Sequence, residues 1–389
     1  MFLINLITSL FIAFFSLDVI YFLYLITLIF ILFGILVPKS KHIAFLQLLW
    51  LWIIMGFNYY GMDWTGNEQI FLHAELKHIH LFLYGWAFNY LSYIFNQNNL
   101  SYVTFEVFLT GISLLILYYI ICKHTKYSSL FVSLFYIYPA IDCAIQRRYF
   151  PCMVLCILAM HFMFEKKKFW RIKYLITIYL AYGFHEVAFF FFPLFIACLF
   201  KKKILIRLII LFDILLFILL EFLSGVLGTY ISLIKFYLSE GWIAPWKGYF
   251  FMAEQLIFIF IVMKIQSRDK GLLQNKQINN KENLIMLTNY YSCLILPLYL
   301  YGAVFMRFFR PSLIYDYGIV TARIKKNYSV KRKTALYLIA FISYLCIYSI
   351  LNYFILGANS FGSLVKPFFV YNRVFNLFMS NIPTELTLF

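Results

Sequence analysis

Two adjacent arginines, Arg147 and Arg148, stand between long apolar runs in "DCAIQRRYFP", with Asp142 and Gln146 just ahead of them. An arginine at a helix centre in lipid costs roughly 2.5–3.5 kcal/mol on insertion scales, so such a residue must face a cavity or a partner. Similar groups recur at other breaks in the apolar pattern. Asp63 and Glu68 lie in "MDWTGNEQIF", His185 and Glu186 in "YGFHEVAFFFF", and Arg307 and Arg310 in "MRFFRP". An arginine fork holds a phosphate or carboxylate through two parallel hydrogen bonds. A carboxylate or an imidazole takes a proton from a hydroxyl. Four arginines in one partly dry site would repel one another. Asp63, Asp142 and Glu186 offer three counter-charges, and a bound diphosphate would offer the rest. Preorganised guanidinium groups would also stabilise a departing diphosphate, so neither metal nor cofactor is expected. Each residue has a plainer role as well: an arginine snorkels to lipid phosphate, Asp63 caps a helix, and His185 with Glu186 makes a satisfied pair.

The elements that must position these residues are membrane helices. Of 389 residues, 64% are hydrophobic and 13% are charged. Apolar runs of roughly 17–25 residues, enough to cross a bilayer, recur along the chain. The expected fold is an all-α polytopic membrane protein with about 12–14 transmembrane helices, in one transmembrane domain over residues 1–389. Expected crossings are 2–17, 19–37, 43–57, 100–121, 127–141, 149–164, 174–184, 186–200, 204–223, 248–263, 284–304, 311–321 and 334–356. Three of them are short, which implies broken or tilted helices. The N-terminal run lacks the basic start of a signal peptide and reads as a first membrane helix.

The net charge of +17 does not imply nucleic acid, because the basic residues sit in short clusters between apolar runs. Lys39/Lys41, Lys123/Lys126, Lys166–Lys173, Lys201–Arg207, Lys264–Lys281 and Arg323–Lys333 hold 24 of the 33. That is the pattern of cytoplasmic loops. It puts the N-terminus and a loop at about 264–283 inside, and loops at about 58–99 and 224–247 outside. The apolar run 81–95 is then a re-entrant or amphipathic segment on the outer face. Five of ten arginines but only four of 23 lysines fall outside, as expected if bidentate donors are wanted there. All the candidate residues gather on that outer face. His73, His78 and His80 lack a fitting carboxylate or cysteine partner, and the loop aromatics Tyr230, Tyr237, Trp242 and Trp246 read as an interfacial belt. The seven scattered cysteines behave as small hydrophobes, and no nucleotide-binding loop is present.

These residues resemble the EpsG-like branch of the Wzy-type O-antigen polymerases, which build bacterial surface polysaccharides. Gly61-Met62-Asp63, followed by Phe71, resembles that family's Gly-x-Asp in a large outer loop. Arg147-Arg148-Tyr149-Phe150-Pro151 resembles its Arg-Gln-x-x-Ala. Phe184-His185-Glu186-Val187-Ala188 resembles its Phe-His-x-x-Ala, and Arg307-Phe308-Phe309-Arg310 its later arginine with aromatics. The chain departs from the pattern at Asn67, Arg148 and Pro151. The resemblance spans roughly residues 40–315. It implies a glycosyltransferase-C-like membrane enzyme in the inner membrane, active on the periplasmic face. The implied reaction moves a glycan from undecaprenyl diphosphate onto a lipid-linked repeat unit. Arg147, Arg148, Arg307 and Arg310, with Gln146 and Asp142, would bind substrate, and Asp63 or the His185–Glu186 pair would act as base. Phe189–Phe192 would line a lipid groove, and a chain-length regulator is a possible partner.

An O-antigen ligase would use the same arginine chemistry. A flippase or other transporter would place its charges at mid-membrane depth, where Asp213 and Glu221 are the main exceptions to the outer clustering. A membrane acyltransferase needs a histidine within the membrane, and His161 lies toward an inner end.

Overall fold

The computed structural model describes residues 19–60, 62–230, 245–269, 276–300, 302–324, 332–351 and 369–377. The expected first crossing, Gly61, most of the 224–247 loop with Tyr237 and Trp242, and the end of the last crossing lie outside these residues. The described chain is helical. No strand occurs among the described residues, whose one isolated bridge pairs Asn58 with Asn372. The long helices are α1 (Val19–Leu36), α2 (Lys41–Gly56), α3 (Met62–Leu72), α4 (Trp86–Gln97), α5 (Tyr102–His124), α6 (Ser128–Ile137), α7 (Ala140–Ile145), α8 (Tyr149–Glu165) and α9 (Trp170–Tyr182). A 3-10 helix (Glu186–Phe191) and a single α-turn, α10 (Leu194–Ala197), follow. The chain continues as α11 (Lys202–Tyr230), α12 (Pro245–Asp269), α13 (Lys276–Ser292), a 3-10 helix (Cys293–Leu300), α14 (Met306–Ile324), α15 (Arg332–Ile350) and α16 (Arg373–Asn376).

Among the described residues, three segments are long and apolar enough to cross a bilayer: Tyr102–His124, Gly248–Ser267 and Lys281–Leu300. Six shorter apolar helices accompany them. This is an all-α polytopic membrane protein. Of the expected short crossings, 174–184 and 311–321 fall in the unbroken helices α9 and α14. The short run 186–200 does divide, into 3-10 helix and α10, and the longer run 284–304 passes from α13 into a 3-10 helix at Cys293, with Pro297, whose ring cannot continue an α ladder, inside it. The stretch 264–283 differs from the expected loop. Helix α12 runs on to Asp269 and α13 starts at Lys276, because lysine, glutamine and glutamate are good helix formers beyond the apolar span.

The chain forms two compact units. The first holds residues 1–79, 88–150 and 344–389, and the second holds residues 80–87 and 151–343.

In the first unit, α2 packs against α1, α5 and α6. The meeting of α1, α2 and α6 is polar and narrow. Gln47 Nε2 donates to Phe30 O at 2.8 Å and to Ser133 Oγ at 3.0 Å, and Ser133 Oγ donates to Ile31 O at 2.8 Å. Gly34 allows this approach. A Cβ there would stand 2.1 Å from Ser133 Oγ and 2.5 Å from the backbone Ser129 O. Small residues and polar side chains hold helices together where lipid removes the hydrophobic drive. Gly34→Leu is therefore expected to destabilise the protein by about 1–3 kcal/mol through overpacking. A lower melting temperature in detergent would show it, and an unchanged one would refute it.

In the second unit, α12 packs on the Cys293–Leu300 helix and α14, and α13 packs on α14. Polar bridges cross the interior. Tyr299 OH donates to Gln255 Oε1 at 2.6 Å, Gln255 Nε2 donates to Ser292 Oγ at 3.0 Å, and Asn289 Nδ2 donates to Asp316 Oδ1 at 2.7 Å. Arg323 and Glu282 form a buried fork, with contacts of 2.8 and 2.9 Å.

Candidate functional site

The first group of candidates gathers at the C-terminal end of α2. A helix end leaves four carbonyls without intrahelical donors, and in apolar surroundings each must be satisfied. Asn372 Nδ2 serves Ile53 O and Ile54 O at 2.9 and 3.2 Å. Arg147 Nη1 donates to Met55 O at 2.9 Å. Arg147 Nη2 donates to Asn58 O at 2.7 Å and Asn58 Oδ1 at 3.0 Å. The guanidinium thus sits at the negative end of the helix dipole. Glu106, on α5, lies 3.9 Å from Arg147 Nη1, and both side chains are almost fully buried, 1% and 2% exposed. Tyr102 OH donates to Glu106 Oε1 at 2.7 Å, and the Trp64 ring lies 5.2 Å from the guanidinium carbon. Arg147 is a clamp joining α2, α3, α5 and the turn before α8.

Its neighbour is placed differently. Arg148 is half-buried, with its guanidinium carbon 5.3 Å from the Phe88 ring. Asp63 stands exposed in the first turn of α3, where an acid suits the helix N-terminus. Its charge acts on Glu106. Asp142 occupies the first turn of α7, and the Gln146 N–H donates to Asp142 O at 3.0 Å; both side chains are half-buried. Beside them, Tyr60 and Tyr371 stack at 5.4 Å, and burial pushes both phenols up, so they stay neutral hydrogen-bond donors. Arg373 lies 5.7 Å from the Tyr59 ring.

The second group is built on the turn after α9. Gly183 ends the helix where a Cβ would come 2.5 Å from Ala87 Cβ, and the His185 N–H donates to Ala181 O at 3.1 Å. His185 then starts the Glu186–Phe191 helix. Its Nδ1 lies 3.2 Å from Val187 N and 3.5 Å from Glu186 Oε2. Its Nε2 lies 3.3 Å from Arg307 Nη1. Phe308, beside Arg307, packs on Phe190 at 4.9 Å, which fixes α14 against the turn. A ring nitrogen facing a guanidinium must present its lone pair. The Val187 N–H donates to Nδ1, so both ring nitrogens face donors, and a neutral imidazole accepts at only one of them. Arg310, one turn along α14, is buried. Of the expected lipid-facing phenylalanines, Phe189 is exposed and Phe191 is buried.

The model of the EpsG family matches residues 41–372. The chain belongs to the EpsG family. This makes it a membrane protein of the polysaccharide-polymerase type. No curated protein and no solved structure matches the chain. Every candidate residue lies inside the stretch matched by the EpsG family, and so do Asn58, Trp64, Tyr102 and Glu106, which sequence reasoning passed over. Glu106 left one readable signal, a carboxylate inside an apolar run, shared with Glu254 and Asp316. Asn58 and Asn372 left none, because their role depends on where α2 ends in space.

Proposed function

We propose that this EpsG-family protein polymerises a bacterial surface polysaccharide from undecaprenyl-diphosphate-linked units on the periplasmic face of the inner membrane. An acceptor hydroxyl on a lipid-linked repeat unit attacks the anomeric carbon of the lipid-linked glycan. The bond from that carbon to the diphosphate oxygen breaks, the lipid diphosphate leaves, and the hydroxyl proton passes to a base. The observation that carries this reading is the contact of His185 Nε2 with Arg307 Nη1, backed by Glu186. It pairs a base with a phosphate-binding cation. A bound diphosphate would draw the Arg307 guanidinium away from His185 Nε2 and leave the imidazole open to the acceptor hydroxyl. In the second unit Arg310 supplies further positive charge on α14; in the first unit Arg148, with Gln146 and Asp142, offers a separate cationic contact for substrate. Asp63, exposed at a helix start, is the alternative base. Arg147 acts by positioning, since its donors bind α2.

The first unit also offers a greasy cavity of about 420 Å3, lined by Tyr24, Thr27, Leu51, Met55, Tyr136 and Ala144 among others. It supports a polyprenyl chain as ligand, because Met55 is also the residue whose carbonyl Arg147 holds. The test is polymerisation of a synthetic polyprenyl-diphosphate repeat unit by the purified protein. Lengthening of the lipid-linked glycan is the expected result. Transfer only to a lipid A core acceptor would indicate a ligase and overturn the reading.

The proposed sidedness has its own check. A single cysteine at Asn98 is expected to react with an impermeant maleimide from the periplasm, and one at Asn279 only after permeabilisation. Labelling of Asn279 in intact cells would reverse the topology.

A further inference from the structure

The second unit contains a cavity of about 550 Å3 that the proposed reaction does not use. It opens between the start of α11, the end of α12 and the middle of α13. Lys202, Lys264, Gln266, Ser267, Asn283 and Tyr290 supply its polar wall, and Met263, Met286 and Leu287 supply an apolar one. Two ammonium groups therefore share one recess. Neither has a carboxylate within ion-pair distance among the described residues. Lys202 Nζ instead lies 4.7 Å from the Tyr290 ring centroid, and Lys264 Nζ lies 5.1 Å from that of Phe260. Glu282, next in sequence to Asn283, is paired with Arg323. A separate observation concerns Gln266, which is 4% exposed and whose Nε2 has no hydrogen-bond partner. A buried amide N–H without an acceptor carries a penalty of about 1–3 kcal/mol, which an incoming oxygen would remove.

We infer that this cavity binds a phosphate group, held by Lys202 and Lys264 and hydrogen-bonded by Gln266, Ser267 and Asn283. Two point charges, donor amides and a hydroxyl make an oxyanion site, while the methionines and leucine accept carbon attached to that phosphate. Basic recesses between membrane helices hold lipid headgroups in this way. None of the residues lining the cavity belongs to the groups proposed to carry the chemistry. The site rests on neither the sidedness nor the function proposed above.

The experiment uses the full-length protein in nanodiscs, with Lys202→Gln and Lys264→Gln combined in one variant. Melting temperature is followed while phosphatidylglycerol replaces phosphatidylcholine, and separately while inorganic phosphate or glycerol 3-phosphate is added to neutral discs. The wild type is expected to be stabilised, and the variant to bind about thirtyfold more weakly, the loss expected for two lysines near a phosphate. Stabilisation by phosphatidylglycerol alone identifies a lipid headgroup as the source, and stabilisation by the soluble anions identifies a free phosphate. No anion-dependent shift in the wild type, or an equal shift in the variant, overturns the site. Should the variant fold poorly, Gln266→Leu supplies the second arm, since it removes the amide and leaves both charges.

Discussion

Arg147→Lys is expected to abolish polymer formation and to lower the amount of folded protein at the same time. The Arg147 guanidinium reaches Met55 O, Asn58 O and Asn58 Oδ1 at once, and lies beside the buried Glu106. An ammonium is a compact point charge and cannot span these acceptors from one position. The ammonium keeps a charge near Glu106 but leaves acceptors at the end of α2 unsatisfied, at about 1–3 kcal/mol each. The stability lost is a large part of what a domain usually has. Membrane protein level and melting temperature measure the structural part, and chain length at matched protein level measures the rest. A lysine variant with wild-type level, melting temperature and chain length would show that the clamp is dispensable.

The second large effect is expected at His185. His185→Asn keeps a side-chain acceptor for the Val187 N–H and so preserves the start of the Glu186–Phe191 helix. It removes the imidazole. Loss of a general base typically costs about 10²–10⁴ in rate. Purified His185→Asn should therefore melt like the wild type and turn over about a hundredfold or more slowly. Glu186→Gln should lose less, on the order of tenfold, because its side chain is 52% exposed and a solvated carboxylate orients the ring only weakly. Arg307→Lys should follow His185→Asn rather than Glu186→Gln, as an ammonium lacks the bidentate phosphate geometry. Full activity in His185→Asn would move the base to Asp63. Equal damage to melting temperature and activity would reduce His185 to a helix cap.

The contrast between these variants follows from the folded chain, since both residues stand in the sequence as polar groups at breaks in apolar runs. The sequence by itself determined the class of fold, the all-helical membrane architecture, and nearly every helix position from α2 to α14. Helix length and apolar composition are local properties that a bilayer imposes on each segment separately. It also marked polar residues that need a partner or a cavity, because charge among apolar residues is expensive wherever it occurs. The family membership was readable in Asp63, Arg147, His185 and Arg307 for the same reason. Only the tertiary structure decided the partner of each. Arg147 and Arg148 are consecutive and chemically identical, yet one is locked onto the end of α2 and the other lies half-buried against Phe88. Their difference depends on where Asn58, Glu106 and Asn372 arrive from distant parts of the chain. Which neighbour a guanidinium meets is set by packing, and no spacing along the chain records it.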